Sequence, residues 1–205
     1  DLYNIDQFLL SGRSVLFFLN QWDVAVYNVK KGGEGFDPSE LTFDELHREA
    51  YPTNLDDFLA SYGAKPNRDL VVEPASFEPI TIIQLQKQGQ FTLQSQREFP
   101  FPLLPTFTDM DRQHVLVRRL SNITMPYAST IGVTDAARGN AALEVTELVK
   151  TSADATATTD NVELSPPVLL RQVKSLAPNG PKPVAVVLKG EFKSFFDGKD
   201  VPARE

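Results

Sequence analysis

Apolar residues at helical spacing come first along the chain. Leu2, Ile5 and Leu9 recur three to four positions apart and form one apolar stripe on a helix. Gly12 follows, and glycine readily takes the left-handed conformation that ends a helix. Residues 15–19 are all apolar without alternation, which is typical of a strand buried on both faces within a parallel sheet. The pattern therefore predicts a short helix, a glycine stop and a buried strand.

The same order of elements returns further along. One apolar face predicts a helix over residues 55–62, Gly63 follows it, and residues 70–72 form a short apolar run. Two such units near the start of the chain favour a layered α/β domain with a parallel, Rossmann-like sheet. The strand that should precede the first helix has no place before residue 1, so we expect this sequence to be a piece of a larger protein.

The remainder of the chain is rich in predicted strands. Residues 80–97 alternate apolar residues with glutamines, which predicts a β-hairpin that turns at Gln88 and Gly89. The prolines of residues 99–105 predict an extended crossing segment, because proline cannot donate to a central strand. Further predictions are strands at residues 142–149 and 183–188, a surface loop at residues 153–160, and either a helix or an extended arm after Pro166.

These patterns divide the chain into two parts. Residues 1–75 are predicted to be the C-terminal part of an α/β unit, and residues 76–205 a β-rich, α+β portion packed on it. A length of 205 residues is enough to bury a sizeable core. We expect the two parts to form one continuous globular domain.

The charge balance excludes some classes of partner. A net charge of −7 argues against a general nucleic-acid surface and against an anionic membrane face. Arg112, Arg118 and Arg119 come closest to a basic patch, and we interpret them as solvated strand ends. No run approaches the roughly 18 to 20 apolar residues of a membrane helix. The chain is therefore predicted to contact nucleic acid nowhere and to reach a membrane only through segments outside it.

Residues that could carry chemistry are few. The absence of cysteine excludes disulfides, thiolate zinc sites and a cysteine nucleophile. His47 and His114 are expected on a helix and at a strand edge, as surface residues rather than a shared metal or catalytic pair. Asp109 and Asp111 are hard-cation ligands by chemistry, but two carboxylates on a loop do not form a site alone, so we interpret them as a solvated turn. We predict no catalytic residue, no metal and no cofactor.

One loop is predicted to bind a ligand. Asn20, Gln21 and Trp22 follow the predicted buried strand, and open α/β sheets bind ligands at the carboxyl ends of their strands. Trp22 is the only tryptophan, and its ring suits either stacking on a sugar or packing in the core. Whether residues 21–50 are a functional insertion stays open.

Four segments resemble a known family. Residues 5–19, 55–71, 148–152 and 184–196 are similar, in order and in spacing, to segments of the GldG-like family, the auxiliary components of gliding-motility-type ABC transport systems. Together the four span nearly the whole chain.

The sequence departs from the family pattern at several positions. Arg13 stands in place of the second glycine after the first helix, and Asn20 and Gln21 replace an Asp-Pro pair. Ala153 replaces the proline of a Thr-Ser-Pro motif. These changes affect the loop predicted to bind a ligand, while the framework of helices and strands is kept.

The resemblance implies a fold, a location and partners. The fold would be similar to glutamine-amidotransferase-like α/β domains without their catalytic cysteine. The domain would lie on the periplasmic, extracytoplasmic face of a bacterial inner membrane, as part of a membrane-anchored protein, and would not be an enzyme. Its partners would be an ABC permease and an ATPase, with a carbohydrate or polymer as ligand. A homo-oligomer stays open.

A second hypothesis belongs to another class. The chain would be a fragment of an amidotransferase-like or carbohydrate-acting enzyme whose nucleophile lies outside it. This hypothesis needs His47 or His114 at the carboxyl edge of the sheet, beside that nucleophile.

Overall fold

The described part of the chain has an α+β fold. A computed structural model describes residues 2–23, 49–50, 53–88, 91–164 and 166–199. The helices there are α1 (Leu2–Leu10), α2 (Asp56–Tyr62), α3 (Asp135–Arg138) and α4 (Pro166–Val173). The strands are β1 (Trp22–Asp23), β2 (Glu49–Ala50), β3 (Ala64–Pro66), β4 (Leu70–Val72), β5 (Ile80–Gln88), β6 (Phe91–Phe99), β7 (Thr106–Phe107), β8 (Asp109–Met110), β9 (Ile123–Thr124), β10 (Ile131–Val133), β11 (Leu143–Lys150), β12 (Thr156–Thr158) and β13 (Pro183–Gly190).

The strands form several small antiparallel sheets. The largest among the described residues has the order β13-β11-β8, and the others are the pairs β1-β2, β10-β3, β12-β4, β5-β6 and β7-β9. The mixture of helices and strands agrees with the prediction, whereas the Rossmann-like parallel layering is not confirmed. No described helix has the length and apolar character that crossing a bilayer demands.

The two predicted helix ends at glycine are confirmed. Helix α1 ends before Gly12, whose φ is 82°, and α2 ends at Gly63, whose φ is 114°. The Gly63 N–H donates to the carbonyls of Leu59 and Ala60, which satisfies groups that the helix end would leave unpaired.

The prediction of a strand buried on both faces at residues 15–19 is wrong. The segment is extended, but Leu16 is 68% exposed and Phe18 89% exposed. Phe17 and Leu19 alternate with them and pack against a cluster built on Phe58 of α2. A run of apolar residues indicates that burial of the side chains is favourable. It does not show that neighbouring elements cover both faces of the segment.

Strand β4 lies between two hydrophobic clusters. Leu70 and Val72 belong to one cluster with Trp22 and Leu103, while Val71 points into another. The short apolar strand predicted at residues 70–72 is confirmed, and all three residues of β4 are buried.

The prediction of a surface loop over residues 153–160 is also wrong. Part of that tract, β12, pairs with β4 in the register Thr156 to Val72 and Thr158 to Leu70. Both threonines are buried, and the Thr156 hydroxyl donates to the Ala177 carbonyl at 3.0 Å. Alanine and threonine are small enough to pack against a buried strand, and a paired hydroxyl removes the cost of burial.

The predicted β-rich elements are present. Strands β5 and β6 form the hairpin, in register from Ile80 opposite Phe99 to Gln88 opposite Phe91. The proline-rich crossing segment buries Phe101 and Leu103. The predicted strands near residues 142–149 and 183–188 are β11 and β13, and the open choice after Pro166 is a helix, α4.

Candidate functional site

The predicted ligand residues lie at the start of β1. Trp22 is only 7% exposed, and its indole Nε1 donates to the Asp69 carbonyl at 2.8 Å. Its backbone N–H lies 3.3 Å from the side-chain oxygen of Asn20, which is exposed. Gln21 is buried, and its amide nitrogen has no hydrogen-bond partner in the described part of the protein. A ligand role for these three residues stays a prediction.

Asp69 fixes the segment that follows β9. Its buried carboxylate accepts from the Thr130 backbone N–H at 2.8 Å and from the Thr130 hydroxyl at 2.5 Å. Its carbonyl also accepts from the Ser129 hydroxyl at 2.6 Å. The same residue thus holds Trp22 on one side and residues 129–130 on the other.

Asp6 is a second buried carboxylate that joins distant segments. It accepts hydrogen bonds from Ser194 Oγ and the Phe195 N–H, each at 2.8 Å, and from the Tyr62 hydroxyl. Burial raises the pKa of Asp6, but the hydrogen bonds from Tyr62, Ser194, Phe195 and Gln7 outweigh it and leave that pKa below its ordinary value. Burial and the neighbouring Asp6 raise the pKa of Tyr62.

Glu73 is the third. Its carboxylate accepts from the Ser152 N–H at 2.8 Å, from the Ser152 hydroxyl at 2.6 Å and from the Ala75 N–H at 3.1 Å. All three carboxylates are therefore occupied by backbone and side-chain donors of the protein itself. Their hydrogen bonds hold distant segments of the chain together.

An open polar cleft lies beside the three-stranded sheet. It has a volume of about 670 Å³ and is bounded by β8, β11 and α3. Its charged side chains are Asp109, Asp111, Arg138, Glu147 and Lys150. The volume falls within the range of roughly 300–1,000 Å³ typical of small-molecule sites. We refer to these five residues and the space between them as the cleft.

Local structure sets the position of each charged group in the cleft. Thr134 caps α3 by accepting from the Ala137 N–H at 3.3 Å, and the short helix presents Arg138 at its end. Glu147 and Lys150 belong to β11. Asp109 belongs to β8, which pairs with β11 so that Asp109 lies opposite Lys150.

The charges in the cleft pair weakly with one another. Glu147 lies 3.8 Å from the Arg138 guanidinium and 3.4 Å from the Lys150 ammonium. These side chains are 31–55% exposed, so water screens the pairs and each contributes little to stability. Arg138 and Lys150 are therefore free to exchange Glu147 for an anionic or hydroxyl-rich ligand at small cost.

Sequence reasoning found only part of the cleft. Asp109 and Asp111 were predicted to lie in a solvated turn, and the structure places them on the cleft wall. Arg138, Glu147 and Lys150 were not predicted, because Arg138 belongs to α3 and the other two to β11, and no local motif links them. Asn20, Gln21 and Trp22 do not line the cleft.

The histidines and metal chemistry give no further site in the described residues. His114 lies in a turn rather than at the predicted strand edge, and its Nδ1 is 3.3 Å from the Leu116 N–H. His47 lies outside the described residues. Within the described ranges, no group of three or more acidic or histidine side chains is arranged to hold a metal ion.

Comparison with known proteins gives one match. The profile of a family described as an ABC-type uncharacterized transport system matches residues 1–205. No curated protein and no solved structure matches the chain.

Proposed function

Since the chain belongs to this family of auxiliary components of ABC transport systems, we propose that it is a non-enzymatic extracytoplasmic domain that binds a polar ligand in its cleft. The ligand class is a carbohydrate or another hydroxyl-rich or anionic polymer. The remaining partners are the permease and ATPase subunits of the transport system. The domain serves on the periplasmic face of a bacterial inner membrane, anchored by segments outside these residues.

The cleft is the observation that carries this proposal. Arg138 and Lys150 offer donors for hydroxyl, carboxylate or phosphate groups, and Asp109 and Asp111 offer acceptors for hydroxyls. An open groove with donors and acceptors along a sheet suits an extended polar chain better than a small apolar molecule.

The non-enzymatic part of the proposal has its own support. The buried carboxylates Asp6, Asp69 and Glu73 are each occupied by protein donors. The charges of the cleft are partly exposed and none of them combines a nucleophile with an adjacent base. Binding is therefore the activity that these residues favour.

The finer family assignment forms part of the same proposal. The four segments that resemble GldG-like proteins support a gliding-motility-type system. Residues 1–75 would end a layered α/β unit of the amidotransferase-like kind, with residues 76–205 packed on it. The order of helix, glycine and strand at Gly63, where α2 is followed by β3 and β4, supports this arrangement.

The ligand proposal is tested by calorimetric titration with glycan and peptidoglycan fragments, using an Arg138→Ala/Lys150→Ala double variant. Losing two charged donors should weaken binding by about tenfold to a hundredfold. Lys189→Ala is the matched control, because Lys189 forms a similar exposed ion pair with Glu144 outside the cleft, at 3.3 Å.

Two results would contradict the proposal. Equal binding by the wild type and the double variant would show that the ligand does not bind in the cleft. Release of a cleaved or transferred product during the titration would show an enzyme instead. The transport partners are tested separately, by co-purification of the permease and ATPase with the protein in its membrane.

The predicted loop at Asn20, Gln21 and Trp22 is kept as a second contact point for the ligand. Asn20 is the accessible member, since the other two are buried. Asn20→Ala should weaken glycan binding, while Asn161→Ala, also at an exposed asparagine, should not. Unchanged binding by Asn20→Ala would count against this contact.

A further inference from the structure

Three large apolar side chains are exposed on one short loop. We name residues 111–121 the arginine loop. Val115 is 65% exposed, Leu116 55% and Leu120 40%, whereas Val117 between them is buried in a core cluster. Exposed apolar side chains grouped in this way mark interaction sites more often than isolated ones do.

The loop is held in this shape by hydrogen bonds. The N–H groups of Val117 and Arg118 both donate to the His114 carbonyl, at 3.2 and 3.0 Å. The Arg112 guanidinium donates to the carbonyls of Leu120 and Ser121, the latter at 3.0 Å. Because the backbone is tied at both ends and in the middle, the outward direction of the apolar side chains is built into the fold.

Two cations stand beside these apolar side chains. Arg118 and Arg119 are exposed, and neither guanidinium has an ion pair or hydrogen bond with the described residues. The arginine loop contains three arginines and a single acidic residue, Asp111. The loop is therefore locally positive in a chain whose net charge is −7.

We propose that the arginine loop docks on the surface of an anionic phospholipid bilayer. At such a surface, aliphatic side chains enter the boundary between headgroups and acyl chains, while guanidinium groups bind phosphates. Val115, Leu116 and Leu120 supply the first kind of contact, and Arg118 and Arg119 the second.

Charge complementarity is the observation that supports an anionic lipid surface as the occupant. The negative charge of the rest of the chain repels an anionic surface, so attraction must come from a local positive group. The arginine loop combines such a group with exposed aliphatic side chains.

Docking would set the orientation of the cleft. Asp111 ends the cleft wall and begins the arginine loop, and its N–H donates to the Leu148 carbonyl of β11 at 2.9 Å. A docked loop therefore brings the cleft close to the bilayer. The lipid proposal does not depend on the ligand proposed for the cleft.

The test measures binding of the 205-residue chain to vesicles. Vesicles of phosphatidylcholine containing phosphatidylglycerol are compared with pure phosphatidylcholine at millimolar lipid and low salt. We expect sedimentation with the anionic vesicles only, weakened by added salt. Arg118→Gln/Arg119→Gln should weaken it about thirtyfold, the factor expected for two cations near an anionic surface. Leu116→Ser should weaken it about tenfold.

A fluorescent substitution reports whether the loop enters the lipid. Leu116→Trp should shift its emission to the blue on anionic vesicles, against the constant background of buried Trp22. Phe18→Trp is the matched control, because Phe18 is exposed in a segment outside the loop and should show no shift. Arg97→Gln/Lys174→Gln is the control for loss of two exposed charges elsewhere and should bind as the wild type does.

Each contrary outcome overturns the proposal. If the protein does not bind anionic vesicles at millimolar lipid, the loop does not dock on lipid. Binding that the loop variants leave unchanged, or an equal blue shift from Phe18→Trp, shows general adsorption instead. If the loop variants lose co-purification with the permease while vesicles never bind, the loop is a protein contact. At saturating anionic lipid, the blue shift of Leu116→Trp should persist when Arg138→Ala/Lys150→Ala is added, so failure in the cleft is distinguishable from failure in the loop.

Discussion

At the scale of single residues, Asp6 joins parts of the chain that are far apart in sequence. It belongs to α1, yet its carboxylate accepts hydrogen bonds from Tyr62 of α2 and from Ser194 and Phe195, 188 and 189 positions away. Removing the carboxylate would leave the buried Tyr62 hydroxyl and the half-buried donors of Ser194 and Phe195 without this partner. The stability of the fold therefore depends strongly on one acidic side chain.

Asp6→Asn should destabilise the protein by about 2–4 kcal/mol, because the amide directs N–H groups at buried donors and leaves them unsatisfied. Urea unfolding followed by circular dichroism measures the change. Asp197→Asn is the control, since Asp197 is exposed near Ser194, and it should change stability by less than about 0.5 kcal/mol. Equal unfolding midpoints for Asp6→Asn and the wild type would contradict the role given to Asp6.

The pH dependence of stability should also depend on Asp6. Its pKa is lower in the folded state than the value of about 3.9 expected in the unfolded chain. The unfolded state therefore binds the proton more readily, and the contribution of Asp6 is full above about pH 4 and declines as the pH falls below it. The stability difference between wild type and Asp6→Asn should shrink between pH 5 and about pH 3. A difference that stays constant in urea titrations over this range would contradict the prediction.

At the scale of elements, Gly63 lies where the end of α2 packs against α3. Its φ of 114° suits glycine, and a Cβ added there would lie 2.4 Å from the Cβ of Ala137. Gly63→Ala should therefore cost about 3 kcal/mol or more, from backbone strain together with overpacking. Thermal or urea unfolding measures this loss.

Gly12→Ala separates the two causes of that loss. Gly12 also has a positive φ, of 82°, but a Cβ there would meet no atom within 4 Å. This variant should cost only the strain, about 1 kcal/mol. Equal losses at the two glycines would mean that the contact with Ala137 contributes nothing.

Elements with a local signal were predictable from sequence. The stripe of α1, the glycines after α1 and α2, and the alternation of the β5 and β6 hairpin depend on nearby residues alone, and all are present. The strand β12 was missed because Ala and Thr look like loop residues until Leu70–Val72 lies beside them. Residues 15–19 were predicted to be buried on both faces, because a run of apolar residues does not reveal how many neighbouring elements cover it.

The site was harder to predict than the fold. Arg138 ends α3, while Glu147 and Lys150 belong to β11, and only the packing of α3 on that strand brings them together. Trp22 was recognised as important, but its sequence position could not show that its indole N–H donates to the backbone carbonyl of Asp69. Contacts between residues far apart in the sequence produce no motif with a recognisable spacing.

At the scale of the whole molecule, early and late parts of the chain interleave. Strand β3 pairs with β10, β4 pairs with β12, and Glu73 binds Ser152. The two portions proposed for residues 1–75 and 76–205 therefore share their sheets and their core. This organisation predicts one cooperative unit rather than two separable ones.

Residues 76–205 expressed alone should fail to fold, because β10 and β12 lose their partners and Ser194 loses Asp6. Two-dimensional NMR of the fragment should show poorly dispersed amide signals, and its denaturant unfolding should lack a cooperative transition. Adding residues 1–75 as a separate chain should restore the dispersion if the two parts associate. A well-dispersed spectrum from residues 76–205 alone would show that they form an independent domain.

The extended segment around Phe18 has a consequence for limited proteolysis. Proteases bind their substrates as extended chains, and Phe18 presents an exposed aromatic side chain on such a chain. Phe8 is also exposed, at 42%, but it lies within α1, which must open before a protease can bind it. Brief chymotrypsin digestion should therefore cut after Phe18 before any other described residue, and Phe18→Asp should remove that fragment from the mass spectrum. Initial cleavage after Phe8 instead would mean that α1 opens more readily than its contacts through Asp6 allow.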